Sequence, residues 1–374
     1  MTSQDRRNAR YMRRKAKRES KRLDCLKNHG FDQVSDVDNL YKSMLKARNG
    51  VWWKASVQRY DMNYLRRIIQ TRKELKAGKD IRKGFYEFYS TERGKKRFIQ
   101  SVQFRERVVQ KSFCMNALTP ILERTLIHDN GASIENKGIH FAFNRLKVHL
   151  QKHYKEHGNN GYVLIIDFKN YFANINHETV LDIYTRQFGE DERLYRLAEL
   201  FVKAFGDKGL GLGSEASQIT AIAYANKADH YIKDFLRLNF ARYMDDNYFI
   251  VAKIEEVHEL IEILTAVYKS INIELCPKKI NICKLSQGFT FMQAKVSMSD
   301  TGKITIRPSR KSITRQRRKL YKFKGLHDKG QMTEEQAYSS YMSWHGYICY
   351  FKSRKSVHNM DKIYNKLFKE NHHG

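Results

Sequence analysis

The chain has 374 residues, with 70 Lys and Arg against 40 Asp and Glu, for a formal net charge of +30 at pH 7. A compact body with so much unbalanced positive charge repels itself unless a polyanion is present, so nucleic acid is the expected counterpart. Five cysteines with no Cys-x-x-Cys pair point away from a zinc ribbon or a disulfide framework, and the lack of an apolar leader or an eighteen-residue apolar stretch predicts a cytoplasmic protein that does not span a membrane.

The length suits two or three subdomains around one core. In chain order, Arg6 to Arg22 is dense in basic residues and good helix formers and reads as a basic helical arm. Arg6, Arg7, Arg13, Arg14 and Lys15 are its candidate RNA-phosphate contacts; the alternative is a solvated tail ordered only by a partner. Helical periodicity at Val37, Leu40, Met44 and Ala47, and again from Arg105 to Leu126, encloses a basic stretch at Gly94 to Phe98 and predicts a helix-rich cap reaching Tyr154.

Tyr162 to Ile166 is a short apolar run ending in Asp167, as a buried strand does when its carboxyl end opens onto a site. A helix capped by Asn176 is expected next. The loop from Gly209 to Ser214 leads into a helical segment from Glu215 to about Leu236, and two strands then flank Met244-Asp245-Asp246-Asn247. After Thr301 the pattern turns helical and basic through Arg315 to Lys319 and the aromatic-rich Tyr338 to Tyr350, ending in an amphipathic helix near Phe368.

Nucleotidyl transfer needs two divalent ions held by hard oxygen ligands, and Mg²⁺ takes one or two carboxylates plus phosphate oxygens, so its signature is a few aspartates at strand ends. Asp167, Asp245 and Asp246 meet that requirement, although an Asp-Asp-Asn tip alone fits plain turn chemistry equally well. The Gly-x-Gly-x-Gly loop lacks both the Gly-Lys-Ser/Thr ending of a phosphate loop and a ribose-binding acid downstream. The histidines, including His372 and His373, show no ligand spacing.

Tyr243-Met244-Asp245-Asp246 resembles the Y-x-D-D box of reverse transcriptases, and Asp167-Phe168-Lys169-Asn170-Tyr171-Phe172 resembles their first metal-binding motif, an Asp followed five positions on by an aromatic. Gly213 to Gln218 is similar to the family's G-x-x-x-S-P/Q motif, with Leu212 where many relatives have Gln. Gly94-Lys95-Lys96-Arg97 and Arg105 to Gln110 resemble the fingers motif of group II intron enzymes, with a looser match from Asn130 to His140. Pro277-Lys278-Lys279, Gly288 to Met292 and Ser343 to Tyr347 resemble the phosphate-lysine, primer-grip and thumb segments.

This resemblance runs from about Phe85 to Phe368. It implies an α+β right-hand polymerase with a basic arm at residues 1–30, helical fingers at 31–160, an antiparallel-sheet palm at 161–300 and a helical thumb at 301–374. It makes Asp167, Asp245 and Asp246 catalytic, places two Mg²⁺ ions (Mn²⁺ as an alternative) on Asp167, Phe168, Asp245 and Asp246, and assigns Lys95, Arg97, Phe172, Gln218 and Lys279 to the incoming nucleotide. Phe172 stands as the steric gate against ribonucleotides; Tyr243 and Met244 join the basic arm in contacting nucleic acid. The implied partners are a structured noncoding RNA template, dNTPs and the cDNA product, in antiphage defence for a stand-alone bacterial enzyme of the retron, diversity-generating or related kind. No RNase H, integrase or endonuclease domain is expected after the thumb. The rivals are an RNA-binding scaffold or splicing helper, a diversity-generating enzyme, and an RNA-dependent RNA polymerase or template-free nucleotidyl transferase on the same palm; the aromatic at Phe172 argues against ribonucleotide use. Template identity, priming mode and assembly state stay open.

Overall fold

A computed structural model describes residues 2–92 and 95–369, with Glu92 and Lys95 described by their backbone. His372 and His373 lie outside the described residues. The elements are, in order, α1 (Ser3–Asn28), α2 (Phe31–Val34), α3 (Val37–Ala47), α4 (Ala55–Asp61), α5 (Tyr64–Lys76), β1 (Phe85–Glu92), β2 (Lys95–Val102), α6 (Phe104–Phe113), α7 (Thr119–Glu123) and α8 (Ile139–His157). Then come β3 (Tyr162–Ile166), α9 (Tyr171–Asn174), α10 (His177–Phe188), α11 (Glu192–Lys203), α12 (Glu215–Tyr224), α13 (Asn226–His230), β4 (Asn239–Tyr243), β5 (Asp246–Val251) and α14 (Ile254–Lys269). The chain ends in β6 (Asn281–Lys284), β7 (Phe289–Phe291), β8 (Ala294–Met298), β9 (Ile304–Pro308), α15 (Arg310–Asp328), α16 (Glu334–Cys349) and α17 (Arg354–Phe368). The mixture of helices with antiparallel sheets is the α+β class expected. No helix among the described residues is long and apolar enough to cross a membrane.

The chain forms two compact units, each assembled from separated stretches: Met1–Glu135, Phe168–Leu236 and Thr265–Leu275 in one, Asn136–Asp167, Arg237–Leu264 and Cys276–Gly374 in the other.

The first unit is mainly helical. The predicted 3.6-residue pattern at Leu40, Met44 and Ala47 buries one face of α3 against α6, and Ser112 Oγ donates to the Val34 carbonyl at 2.7 Å. The helical stretch expected from Arg105 is continuous, but a π-helical turn at Cys114–Leu118 separates α6 from α7. Asn176 caps α10 as predicted, accepting from the Thr179 N–H at 2.8 Å. α1 is helical over its whole length but docked only near its end, where Arg22 bonds Glu190, Glu19 and the Gln187 carbonyl. The hairpin of β1 and β2 was not anticipated from the sequence. Tyr86, Phe88, Tyr89 and Phe98 are exposed on both of its faces, so no burial alternation of period two marks it.

The second unit holds two antiparallel sheets. In the four-stranded one, β3 lies between β5 and β6, with β4 on the outer side of β5. Val163, Leu164 and Ile166 are fully buried, which is why this strand reads as a continuous apolar run and does not alternate. Val163, Tyr248 and Ile250 share a core with Phe143, Leu146 and Leu150 of α8 and with Phe289, Phe291, Val296 and Ile306 of the second sheet, the meander of β7, β8 and β9. The expectation that the chain turns helical after Thr301 is corrected here: Ile304-Thr305-Ile306 first pairs with β8 as a strand, after a turn in which Gly302 takes φ +75°. The last three helices close around Leu320, Ala337, Tyr341, Met360, Tyr364 and Phe368.

Candidate active site

The carboxylates of the second unit are brought together by strand register. In the β3–β5 pair Ile166 lies opposite Asn247, so the next step along each chain sets Asp167 beside Asp246. In the β4–β5 hairpin Tyr243 pairs with Asp246, leaving Met244 and Asp245 as a two-residue loop. Met244 takes φ +58°, a left-handed conformation that a side chain disfavours and that suits the first position of such a loop.

Two buried residues outside the predicted set hold this turn. Arg242, only 1% exposed, donates from Nη1 to the Met244 carbonyl at 3.1 Å, and Asn247 donates from Nδ2 to the Asp245 carbonyl at 2.9 Å. An Asn next to a hairpin loop is ordinary turn composition, although its backward donation to the Asp245 carbonyl was not legible. Nor was burial of the arginine, because an Arg in a strand ordinarily reads as solvent-facing.

Asp167 ends β3, and its carbonyl accepts from the Cys276 N–H at 2.9 Å. Its Oδ2 is bonded by the Lys279 ammonium, which a short 3-10 turn at Pro277–Lys279 presents while Lys278 stays exposed. Burial works against the Lys279 charge, but the bond to Asp167 and the charges of Asp167 and Asp245 outweigh it and raise its pKa above the ordinary lysine value. Asp167 Oδ1 is buried with no hydrogen-bond partner. A buried carboxylate oxygen facing no donor, beside one already neutralised by a cation, is chemically suited to a hard metal ion. Among the described residues no group of three or more His, Cys, Asp or Glu side chains is gathered closely enough to hold a metal unaided. The phenol of Tyr243 is pushed up by burial and then by the Asp246 charge.

The remaining candidates belong to the first unit. Phe168 is buried, its ring 4.8 Å from that of Tyr268 and 4.9 Å from that of Tyr171, so only its backbone is available to a ligand. Phe172 is half-buried on the short helix α9, which starts from Asn170 at φ +48°, and its carbonyl accepts from the Leu210 N–H at 2.8 Å. The glycines of the following loop are explained by backbone shape and close packing. Gly209 and Gly213 take φ +84° and +107°, and a Cβ at Gly211 would lie 2.0 Å from the ring of Phe205. Ser214 caps α12 and donates to Gln110 Oε1 at 3.2 Å; the exposed Gln218 accepts from Ser133 Oγ at 3.2 Å. Arg97 is exposed on β2 opposite Ser90, whereas Gly94 and the Lys95 side chain fall outside the described set. Arg6, Arg7, Arg13, Arg14 and Lys15 are all exposed along α1.

Residues 80–316 match the family described as reverse transcriptase (RNA-dependent DNA polymerase), a span of more than half of the chain. The chain belongs to the reverse transcriptase family. The matched region contains both aspartate motifs, the glycine loop and Lys279, and the family is one of RNA-directed DNA polymerases, which are nucleotidyltransferases. Among solved structures, one of apo telomerase from Candida tropicalis is similar at 13% identity and a TM-score of 0.44, over 60% of this chain and 49% of that one. The reverse transcriptase chain thus spans about half the length of that telomerase chain. No curated protein matches by sequence.

Proposed function

We propose that this chain copies a partner structured noncoding RNA into cDNA from dNTPs, in the manner of stand-alone bacterial reverse transcriptases, and that it serves antiphage defence. The observation that carries the catalytic part is the register that sets Asp167 beside Asp246 within a family-matched region, with a cation already seated on Asp167. The bacterial subgroup is supported by the resemblance of Gly94 to Arg97, Arg105 to Gln110 and Ser343 to Tyr347 to segments of intron and diversity-generating enzymes, and the defence role extends that reading.

Asp167 and Asp245 would hold two Mg²⁺ ions, with Asp246 supporting the pair; the Phe168 backbone is the further ligand proposed from the motif. Divalent ions held there would supply Lewis acidity toward a 3′-hydroxyl and positive charge toward a triphosphate. Lys279 carries positive charge to the same carboxylates and would contact the phosphates once Asp167 has other partners. Phe172 is the proposed gate at the sugar; Arg97, Lys95 and Gln218 are the proposed nucleotide contacts.

The test is to isolate the protein with the RNA it carries, add Mg²⁺ and labelled dNTPs, and sequence both the RNA and any DNA. DNA complementary to that RNA, absent from an Asp245→Ala/Asp246→Ala variant that still binds RNA, is the expected result. Bound RNA without DNA from the wild-type protein would favour a scaffold role.

A further inference from the structure

The family match begins at residue 80, so the helices before it lie outside the matched region. Within them, residues 41–76 carry ten Lys and Arg and two acids, Asp61 and Glu74. Both acids are internally paired: Asp61 bonds Arg48 at 3.0 Å, and Glu74 is held by Arg105. The surplus positive charge therefore faces outward with no local counter-charge, and a second copy of this chain would meet it with charge of the same sign.

The same segment exposes large rings. Trp52 and Trp53 are 63% and 68% exposed, on a turn closed by the Val51 N–H to the Arg48 carbonyl and the Lys54 N–H to the Val51 carbonyl, each at 3.0 Å. Tyr41 and Tyr64 add a second exposed pair, ring centroids 5.3 Å apart. Basic groups are interleaved with the rings: the Lys54 ammonium lies 5.6 Å from the Trp53 centroid. Two adjacent tryptophans this exposed form an apolar patch of the kind that marks an interaction site. Flat apolar rings among unpaired cations are what unpaired bases and their phosphates require.

We propose that the Trp52–Trp53 turn and the basic helices around it form a second nucleic-acid platform, on which an unpaired strand stacks its bases while Lys54, Arg66 and neighbouring cations hold its phosphates. A duplex, with its bases already stacked, fits less well. The inference rests on the platform and is read by binding, so it can be judged even if the polymerase reading fails.

The test uses the full chain and measures affinity for a short unstructured RNA, a DNA of the same sequence and a blunt duplex, across a salt series. Trp52→Ala/Trp53→Ala should weaken single-strand binding by about tenfold or more with the salt slope unchanged, whereas Trp52→Phe/Trp53→Phe should retain most of it. Lys54→Gln and Arg66→Gln should each lower the slope by about 0.7. Tighter binding of RNA than DNA assigns the platform to the template, the reverse to the product, and equal binding to either. Unchanged affinity of the alanine variant with melting intact, or equal binding of the duplex, would overturn the proposal, as would a phenylalanine variant that folds yet binds no better than the alanine one. Loss of a co-purifying protein from the alanine variant, with RNA affinity intact, would show a protein-docking surface in its place.

Discussion

A methionine at φ +58° costs on the order of 1 kcal/mol in backbone strain, and Met244 keeps that conformation because Arg242 and Asn247 fix the carbonyls on either side of the loop bond. The backbone that carries Asp245 and Asp246 is thereby held in one turn conformation. Phe172 is the residue from which sugar choice is argued: if its ring screens the 2′-position, Phe172→Ala should raise ribonucleotide incorporation by an order of magnitude or more, with dNTP use reduced less. An unchanged ratio of the two specificity constants would remove it from that role.

Glu106 makes a different prediction. It is 2% exposed, and its Oε2 has no partner. Burial raises its pKa, opposed by the Lys83 backbone N–H and by Gln110. A raised carboxyl pKa means that the native state favours the protonated form. That contribution is complete below the ordinary glutamate value of about 4.3 and is lost as pH rises through the raised one. At neutral pH the ionised group therefore costs stability, and Glu106→Gln should melt a few degrees higher at pH 7, the advantage vanishing as pH falls toward about 4. An advantage independent of pH would show that ionisation is not the cause.

Among the elements, those whose burial follows a simple period were legible in the sequence: β3 by its unbroken apolar run, α3 by its stripe, α10 by its cap and the β4–β5 hairpin by its turn residues. The β1–β2 hairpin and β9 escaped because one exposes both faces and the other is a five-residue strand, only partly buried, that runs almost directly into the basic helix α15. α1 was readable as a helix, yet its sequence works against it: Arg6 and Arg10, Arg10 and Arg14, and Arg14 and Arg18 are like charges one turn apart. A polyanion would relieve that repulsion. Replacing Arg6, Arg7, Arg13, Arg14 and Lys15 with Gln should flatten the log–log salt slope of RNA binding by about 3 to 4; an unaltered slope would leave the arm no part in holding RNA.

For the molecule as a whole, the net charge of +30 was the first signal and bears on solution behaviour more than on fold. Bound RNA should raise the melting temperature at low ionic strength, and the gain should fade as salt rises; a salt-independent gain would contradict an electrostatic origin. The carboxylates proposed as catalytic stood out in the sequence because such chemistry constrains residues locally, at strand ends. Interleaving of three separated stretches in each compact unit did not, because periodicity reports what a segment buries and not which distant segment buries it.

The anchoring of α1 through Arg22 has a consequence in time. Its principal partner, Glu190, lies 168 residues further along the chain. At about 5–20 residues per second of synthesis, the basic helix leaves the ribosome roughly ten to thirty seconds before the side chain that docks it emerges. During that interval it is an untethered polycation beside its own messenger and any neighbouring transcript, so a nascent chain halted before Glu190 should already crosslink to RNA through α1. Such a protein would meet its nucleic acid before its body is assembled, and the locus that encodes it would be the place where the two find each other.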